Sequence, residues 1–190
     1  SDRFCDDIVK ESKSKTLKYG VTGGLGRDYK TKPITKNEMR KKKNIRHSKV
    51  AWIHQPWLYK AVNNFAEIAN RNADWFEDCQ FGEYAKNNHY NWHMDQWNKP
   101  YGDDVALNLR GKIRKLSVVI SLSDSKDYKG GQLQLRIPTM ENWNRVATVK
   151  EMFFRGSVVV FPSFVWHKVK PVTQGKRYSL VAWGLGAPFK

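Results

Sequence analysis

The sequence predicts a mainly β domain of the sandwich or jelly-roll kind, supported by helix on its N-terminal side. Three observations carry this. Leu116–Leu122 is apolar and β-branched, the pattern of a buried strand. Gln132–Leu135 alternates polar and apolar residues directly after Gly130-Gly131, a pair that turns the chain. Leu58, Val62, Phe65 and Ala69 recur at three- and four-residue spacing, the period of a helix with one buried face. Many short strands in one domain favour two packed sheets.

Residues 1–44 read as a basic, loop-rich N-terminal extension of the same domain, and residues 45–190 as the β domain itself. Gly20–Lys30 is rich in glycine but lacks the Gly-Lys-Ser/Thr ending of a phosphate loop, and no apolar strand precedes it. A flexible loop is expected there. Arg40–Lys43 is a basic cluster, either an anion contact or a solvated face. Within Ile45–Ile53, the run Val50–Ile53 reads as a strand. Gln55-Pro56 starts the helix, since proline is well tolerated in a first turn, and the apolar stripe runs to about Asn72. Further strands are expected from Gln80 on, at Phe153–Phe161, at Trp166–Val169 and at Tyr178–Trp183, with a polar loop at Asp124–Lys129. Val172–Lys176 reads as a turn between the last two. A hairpin folded near Val172 and Thr173 would lay His167 opposite Arg177–Ser179.

The 190 residues, 40% of them apolar, suffice for one domain with a sizeable core. No apolar run is long enough to span a membrane. Ser1–Asp7 carries no sign of a secretory signal. Two cysteines, Cys5 and Cys79, are too few for a disulfide framework, which points to a reducing cytosol. The net charge is +16, and residues 1–50 hold +9 of it. Such a surface favours anionic partners, nucleic acid or a ribosome among them, or else serves solubility alone.

The chemistry centres on His93-Met94-Asp95. On a strand, residues i and i+2 share a face, so one imidazole and one carboxylate reach into the same space. His167, the last of five histidines, is the third donor on offer. Two histidines and one carboxylate form the facial triad of non-haem Fe(II) sites, which leaves positions on the metal open. His89 competes as a zinc ligand with His93, but Tyr90 and Trp92 favour a strand over the helix this would need, and no Glu follows His89. Ten residues beyond His167 comes Arg177, a permanently charged fork that fits a carboxylate.

The ordered set His93-x-Asp95, His167, Arg177-x-Ser179 resembles the Fe(II)/2-oxoglutarate-dependent oxygenases. It is most similar to their prolyl-hydroxylase-like branch, in particular its small bacterial and phage-type members. Ile45–Ser48, Tyr84–Asp95, Arg114–Ser117, Tyr128–Gly131 and Pro171–Trp183 extend the resemblance over roughly residues 45–186. It implies a double-stranded β-helix (jelly roll) with supporting N-terminal helices. It implies His93, Asp95 and His167 as catalytic ligands of Fe(II), and Tyr84, Arg177 and Ser179 as contacts of 2-oxoglutarate. O2 is then the second cosubstrate and ascorbate a candidate reductant. Arg114 and Trp183 match positions that face the substrate. The implied activity is hydroxylation of prolyl residues in a protein, with a translation component as one candidate target. The implied location is the cytoplasm of a bacterium or of a phage-infected host. The alternatives are an oxygenase of a nucleic-acid base or another amino-acid side chain, and a catalytically silent basic binding module. The chain departs from the family pattern at Ser121, where several relatives carry a tyrosine, at Gln132, often glutamate, and at Asn87-Asn88, often glycine.

Overall fold

Two helices cover one face of a large antiparallel sheet, and a smaller sheet faces its other side. The computed structural model describes residues 1–20, 45–68, 73–97 and 99–189. The glycine-rich stretch beyond Gly20, the Arg40–Lys43 cluster and the expected helix end near Asn72 lie outside the described residues.

In chain order the elements are α1 (Asp2–Lys13), β1 (Lys18–Tyr19), β2 (Arg46–His47), β3 (Lys49–Ile53), α2 (Pro56–Ile68), β4 (Trp75–Phe76), β5 (Cys79–Tyr84), β6 (His89–His93), β7 (Ile113–Ser121), β8 (Tyr128–Gly130), β9 (Leu133–Arg136), β10 (Val146–Thr148), β11 (Val158–Pro162), β12 (His167–Val169), β13 (Val172–Gly175) and β14 (Arg177–Gly186). The major sheet runs β1-β3-β5-β14-β7-β11, with β4 paired to β14. The minor sheet runs β10-β9-β12-β6-β2, and β13 pairs with β8. The mainly β jelly roll expected from the strand pattern is the fold found.

Alternation along the strands sorts the core into two layers. Leu116, Val118 and Ile120 of β7, with Leu180 and Ala182 of β14, pack against Leu58, Val62 and Ala66 of α2. Val119, Phe161, Leu133, Leu135 and Val169 fill the space between the sheets. The polar positions Ser117 and Ser121 share that inner face, and both are fully buried.

Four local expectations are corrected. The first residues are not loop-rich throughout: Asp2–Lys13 form a helix whose Cys5 and Ile8 join the outer core layer. Arg155 anchors it through ion pairs to Asp2 and Asp6. Phe153–Phe161 is not one strand, since Lys150–Phe153 forms a 3-10 turn and the strand begins at Val158. Part of the polar loop after Asp124 is the short strand β8. The hairpin near Val172 does not form. Val172 is buried, its N–H donates to the Asn88 carbonyl, and it pairs with Gly130. The chain therefore stays extended and crosses between sheets. His167 lies opposite His93 and Leu135, and Arg177 lies opposite Tyr84.

Candidate metal centre

β6 and β12 are neighbours in the minor sheet, and His93 and His167 are cross-strand partners. Asp95 lies two residues beyond the end of β6, held by its N–H donating to the Ser163 carbonyl at 3.0 Å. The three side chains converge: His93 Nε2 is 3.7 Å from Asp95 Oδ1, and His167 Nε2 is 3.4 Å from Asp95 Oδ2. Their donor atoms all lie within 4.8 Å of one another. His89 is not among them; its ring faces the Asn87 carbonyl.

The surrounding shell sets the chemistry of each donor. His93 Nδ1 lies 2.7 Å from the Asn91 carbonyl and His167 Nδ1 lies 2.9 Å from the Val165 carbonyl. A carbonyl only accepts, so each Nδ1 carries the proton and each Nε2 keeps its lone pair for the centre. Ser117 donates to Asp95 Oδ2 at 2.7 Å and also contacts Ser163 Oγ at 2.9 Å. Burial pushes the His93 imidazole down to about 3, helped by the nearby His167, so it is neutral at pH 7. Burial alone would raise the Asp95 carboxyl. The neighbouring His167, His93 and Arg114 and the Ser117 hydrogen bond outweigh it and hold the group below its ordinary value. Two imidazole nitrogens and one carboxylate are the donor set that suits ferrous iron with open positions. Neither cysteine belongs to the cluster, as a typical structural zinc site would require.

Arg177 is 1% exposed, and among the described residues no carboxylate pairs with it. Its Nη1 donates to Ser179 Oγ at 3.3 Å, and its guanidinium lies 5.4 Å from the Tyr84 ring centre. Gly131 makes room for it. Its φ is +66°, and a Cβ there would stand 2.9 Å from Arg177 Cδ. Asn87, one of the departures, adopts φ +65°, the left-handed conformation asparagine tolerates where relatives use glycine.

Arg114 and Trp183 form a buried network rather than an open surface. Arg114 donates from Nε and Nη2 to Glu77 at 2.7 and 2.6 Å and stacks 3.8 Å from the Trp183 ring centre. Tyr101 also donates to Glu77 Oε1. The indole Nε1 of Trp183 is buried without a hydrogen-bond partner among the described residues. Glu77 and Ser117 were not singled out from sequence, since nothing local marks a partner that lies 37 or 22 residues away in the chain.

Residues 79–184 match the family model described as the 2OG-Fe(II) oxygenase superfamily. The chain belongs to this superfamily. A PKHD-type hydroxylase of Alteromonas mediterranea is 31% identical over 138 residues, covering 72% of this chain and 55% of the relative. Another, of Idiomarina loihiensis, is 28% identical over 100 residues, covering 53% and 38%. The chain thus spans about half the length, or less, of these curated relatives. Among solved structures, a Pseudomonas putida prolyl-4-hydroxylase superimposes with a TM-score of 0.65 at 19% identity, covering 97% of this chain and 87% of that one. A Trichoplax adhaerens prolyl hydroxylase, solved with a hypoxia inducible factor peptide fragment, gives 0.61 at 21%, covering 96% and 74%. These structures share the oxygenase fold with the present chain. Among the described residues, no helix is long and apolar enough to cross a membrane.

Proposed function

We propose that this oxygenase is an Fe(II)- and 2-oxoglutarate-dependent dioxygenase that hydroxylates prolyl residues in a protein. The convergence of the His93, Asp95 and His167 donor atoms within 4.8 Å is the observation that carries the reading. The prolyl-hydroxylase names of its structural neighbours support the choice of substrate.

His93, Asp95 and His167 hold the metal in this reading. The Asn91 and Val165 carbonyls fix the two rings, and Ser117 fixes the carboxylate, so the donors are preorganised. Bound iron, with 2-oxoglutarate and O2 as cosubstrates, supplies the oxidising power for placing a hydroxyl on an unactivated carbon, while the cosubstrate leaves as succinate and CO2. Arg177 receives the far carboxylate of 2-oxoglutarate. A buried guanidinium without a carboxylate is costly, and a dicarboxylate cosubstrate offsets that cost. Ser179 orients the fork, and Tyr84 forms the adjoining wall. Arg114 and Trp183 border the substrate path. Ascorbate serves as reductant for uncoupled turnovers.

The protein acts in the cytoplasm of a bacterium or phage-infected host. The +16 charge favours a target near RNA, such as a translation component on the ribosome. A nucleic-acid base as substrate finds one supporting feature, Trp92 flanked by Arg136 and Lys168. The prolyl reading is tested by incubating the protein with Fe(II), 2-oxoglutarate, heavy-oxygen dioxygen and a bacterial lysate. Heavy oxygen on prolyl residues, absent with Asp95→Ala, is the expected result. Label on bases would move the substrate to nucleic acid, and the absence of both label and succinate would overturn the enzyme reading.

A further inference from the structure

A cavity of about 700 Å³ opens beside α2 and β4, and none of the three donor residues lines it. Its walls include Trp52, Tyr59 and Trp75, with Asp74, Glu77 and Asp78 at the same surface. Trp52 and Trp75 are 46% and 49% exposed, which is unusual for two tryptophans at one opening. Among the described residues of its lining, Asp74 and Asp78 stand against one cation, Lys60, since Glu77 is paired with Arg114, which makes this an acidic spot on a chain of charge +16.

We infer that this cavity receives a cationic side chain, arginine or lysine, of the protein substrate, a step that rests on the proposed function. Aromatic faces attract a desolvated cation, and carboxylates at the rim neutralise it. Asp74 and Asp78 are disposed for this. Glu77 is spent on Arg114. Among the described residues, Asp78 accepts from Tyr59 and faces His54 through Oδ1 alone, which leaves Oδ2 for another donor. Asp74 has no ion pair with any described residue. An apolar occupant would leave these carboxylates desolvated, and an acidic one would be repelled.

A chain of contacts links the cavity to the centre. Asp95 accepts from Ser117, Ser117 lies opposite Trp183 in the β7–β14 register, and the Trp183 ring lies 5.9 Å from the Trp52 ring. Cross-strand neighbours stand ~5 Å apart, so the path from donors to cavity is roughly 10–15 Å. An extended peptide rises ~3.3 Å per residue, which puts the cation roughly three to four residues from the hydroxylated one.

The first test needs no turnover. N-acetyl-arginine amide would be titrated at low ionic strength, to its solubility limit, while the indole N–H resonances are followed by NMR. Trp52 and Trp75 are assigned with Trp52→Phe and Trp75→Phe. The expected result is movement of those two signals, abolished in Asp74→Asn with Asp78→Asn. N-acetyl-glutamine amide should move them about tenfold more weakly. No movement, or equal movement with glutamine, overturns the inference. A second arm compares proline peptides carrying arginine or glutamine three or four residues away. Equal binding of the two overturns it as well. Arginine-dependent binding without hydroxylation of any peptide would uphold the cavity and overturn the prolyl reading instead.

Discussion

Glu77→Gln tests whether the Arg114 network is as deeply buried as its geometry indicates. The carboxylate accepts two hydrogen bonds from Arg114, at 2.7 and 2.6 Å, and one from the Tyr101 hydroxyl. Side-chain exposures are 12% for Arg114 and 9% for Glu77. Burial works against the guanidinium charge, but Glu77 more than restores it, and the Arg114 pKa stands above its ordinary value. Replacing the carboxylate by an amide leaves that charge buried and turns one acceptor into a donor facing donors. Breaking a buried pair in this way costs about 3–5 kcal/mol. That is a large share of the ~5–15 kcal/mol that holds a domain together. For a chain of this size each kcal/mol lowers Tm by roughly 2–4 °C, so the expected fall is roughly 6–20 °C. Thermal unfolding followed by circular dichroism measures it. The double variant Glu77→Gln with Arg114→Gln should recover part of the loss, since the stranded charge is gone. A fall below roughly 3 °C, with additive single effects, would mean that the pair behaves like a solvated surface bridge and would refute the reasoning.

Four further outcomes follow from the geometry. Ser117→Ala removes the hydrogen bond to Asp95 Oδ2, and metal titration should show affinity reduced about 10–100-fold with the fold intact. Arg177→Gln should raise the KM for 2-oxoglutarate by at least ~30-fold in a succinate-release assay, because a buried charge pair of this kind is worth about 2–5 kcal/mol. Gly131→Ala places a methyl 2.9 Å from Arg177 Cδ on a left-handed backbone, so urea unfolding should register a loss of about 1–2 kcal/mol. Burial, reinforced by Asp78, pushes the Cys79 thiol from 9.0 up to about 12. A thiol raised in the folded state contributes stability that is complete below pH 9 and is lost as pH rises towards 12. Alkylation by iodoacetamide at pH 8 should therefore track global unfolding, and fast labelling of Cys79 in the folded protein would contradict its burial.

The parts legible in the sequence are those whose chemistry obliges a residue type. The centre needs two imidazoles and a carboxylate, so His93, Asp95 and His167 stand out whatever the sheets do. Elements chosen by distant partners are another matter. Helix α1 buries only Cys5, Ile8 and Ser12, too thin a stripe to declare itself, and its anchor Arg155 lies about 150 residues away. Likewise, Arg114 reads as a free cation until Glu77 is seen beside it.

Arg177 shows how the two kinds of information combine. A hairpin from His167 would have brought it to the centre, yet β12 and β14 belong to different sheets. Strand parity places it instead. Arg177, Ser179, Val181 and Trp183 alternate on one face of β14, and no register shift falls between them. Trp183 lies opposite Ser117, whose hydroxyl donates to Asp95. The inner face of the major sheet therefore carries the guanidinium at one end of a row that reaches the donor cluster through a single hydrogen bond. Alternation along β14 is visible in the sequence; the facing sheet that gives it meaning is not, because pairing across 22 to 79 residues leaves no local trace.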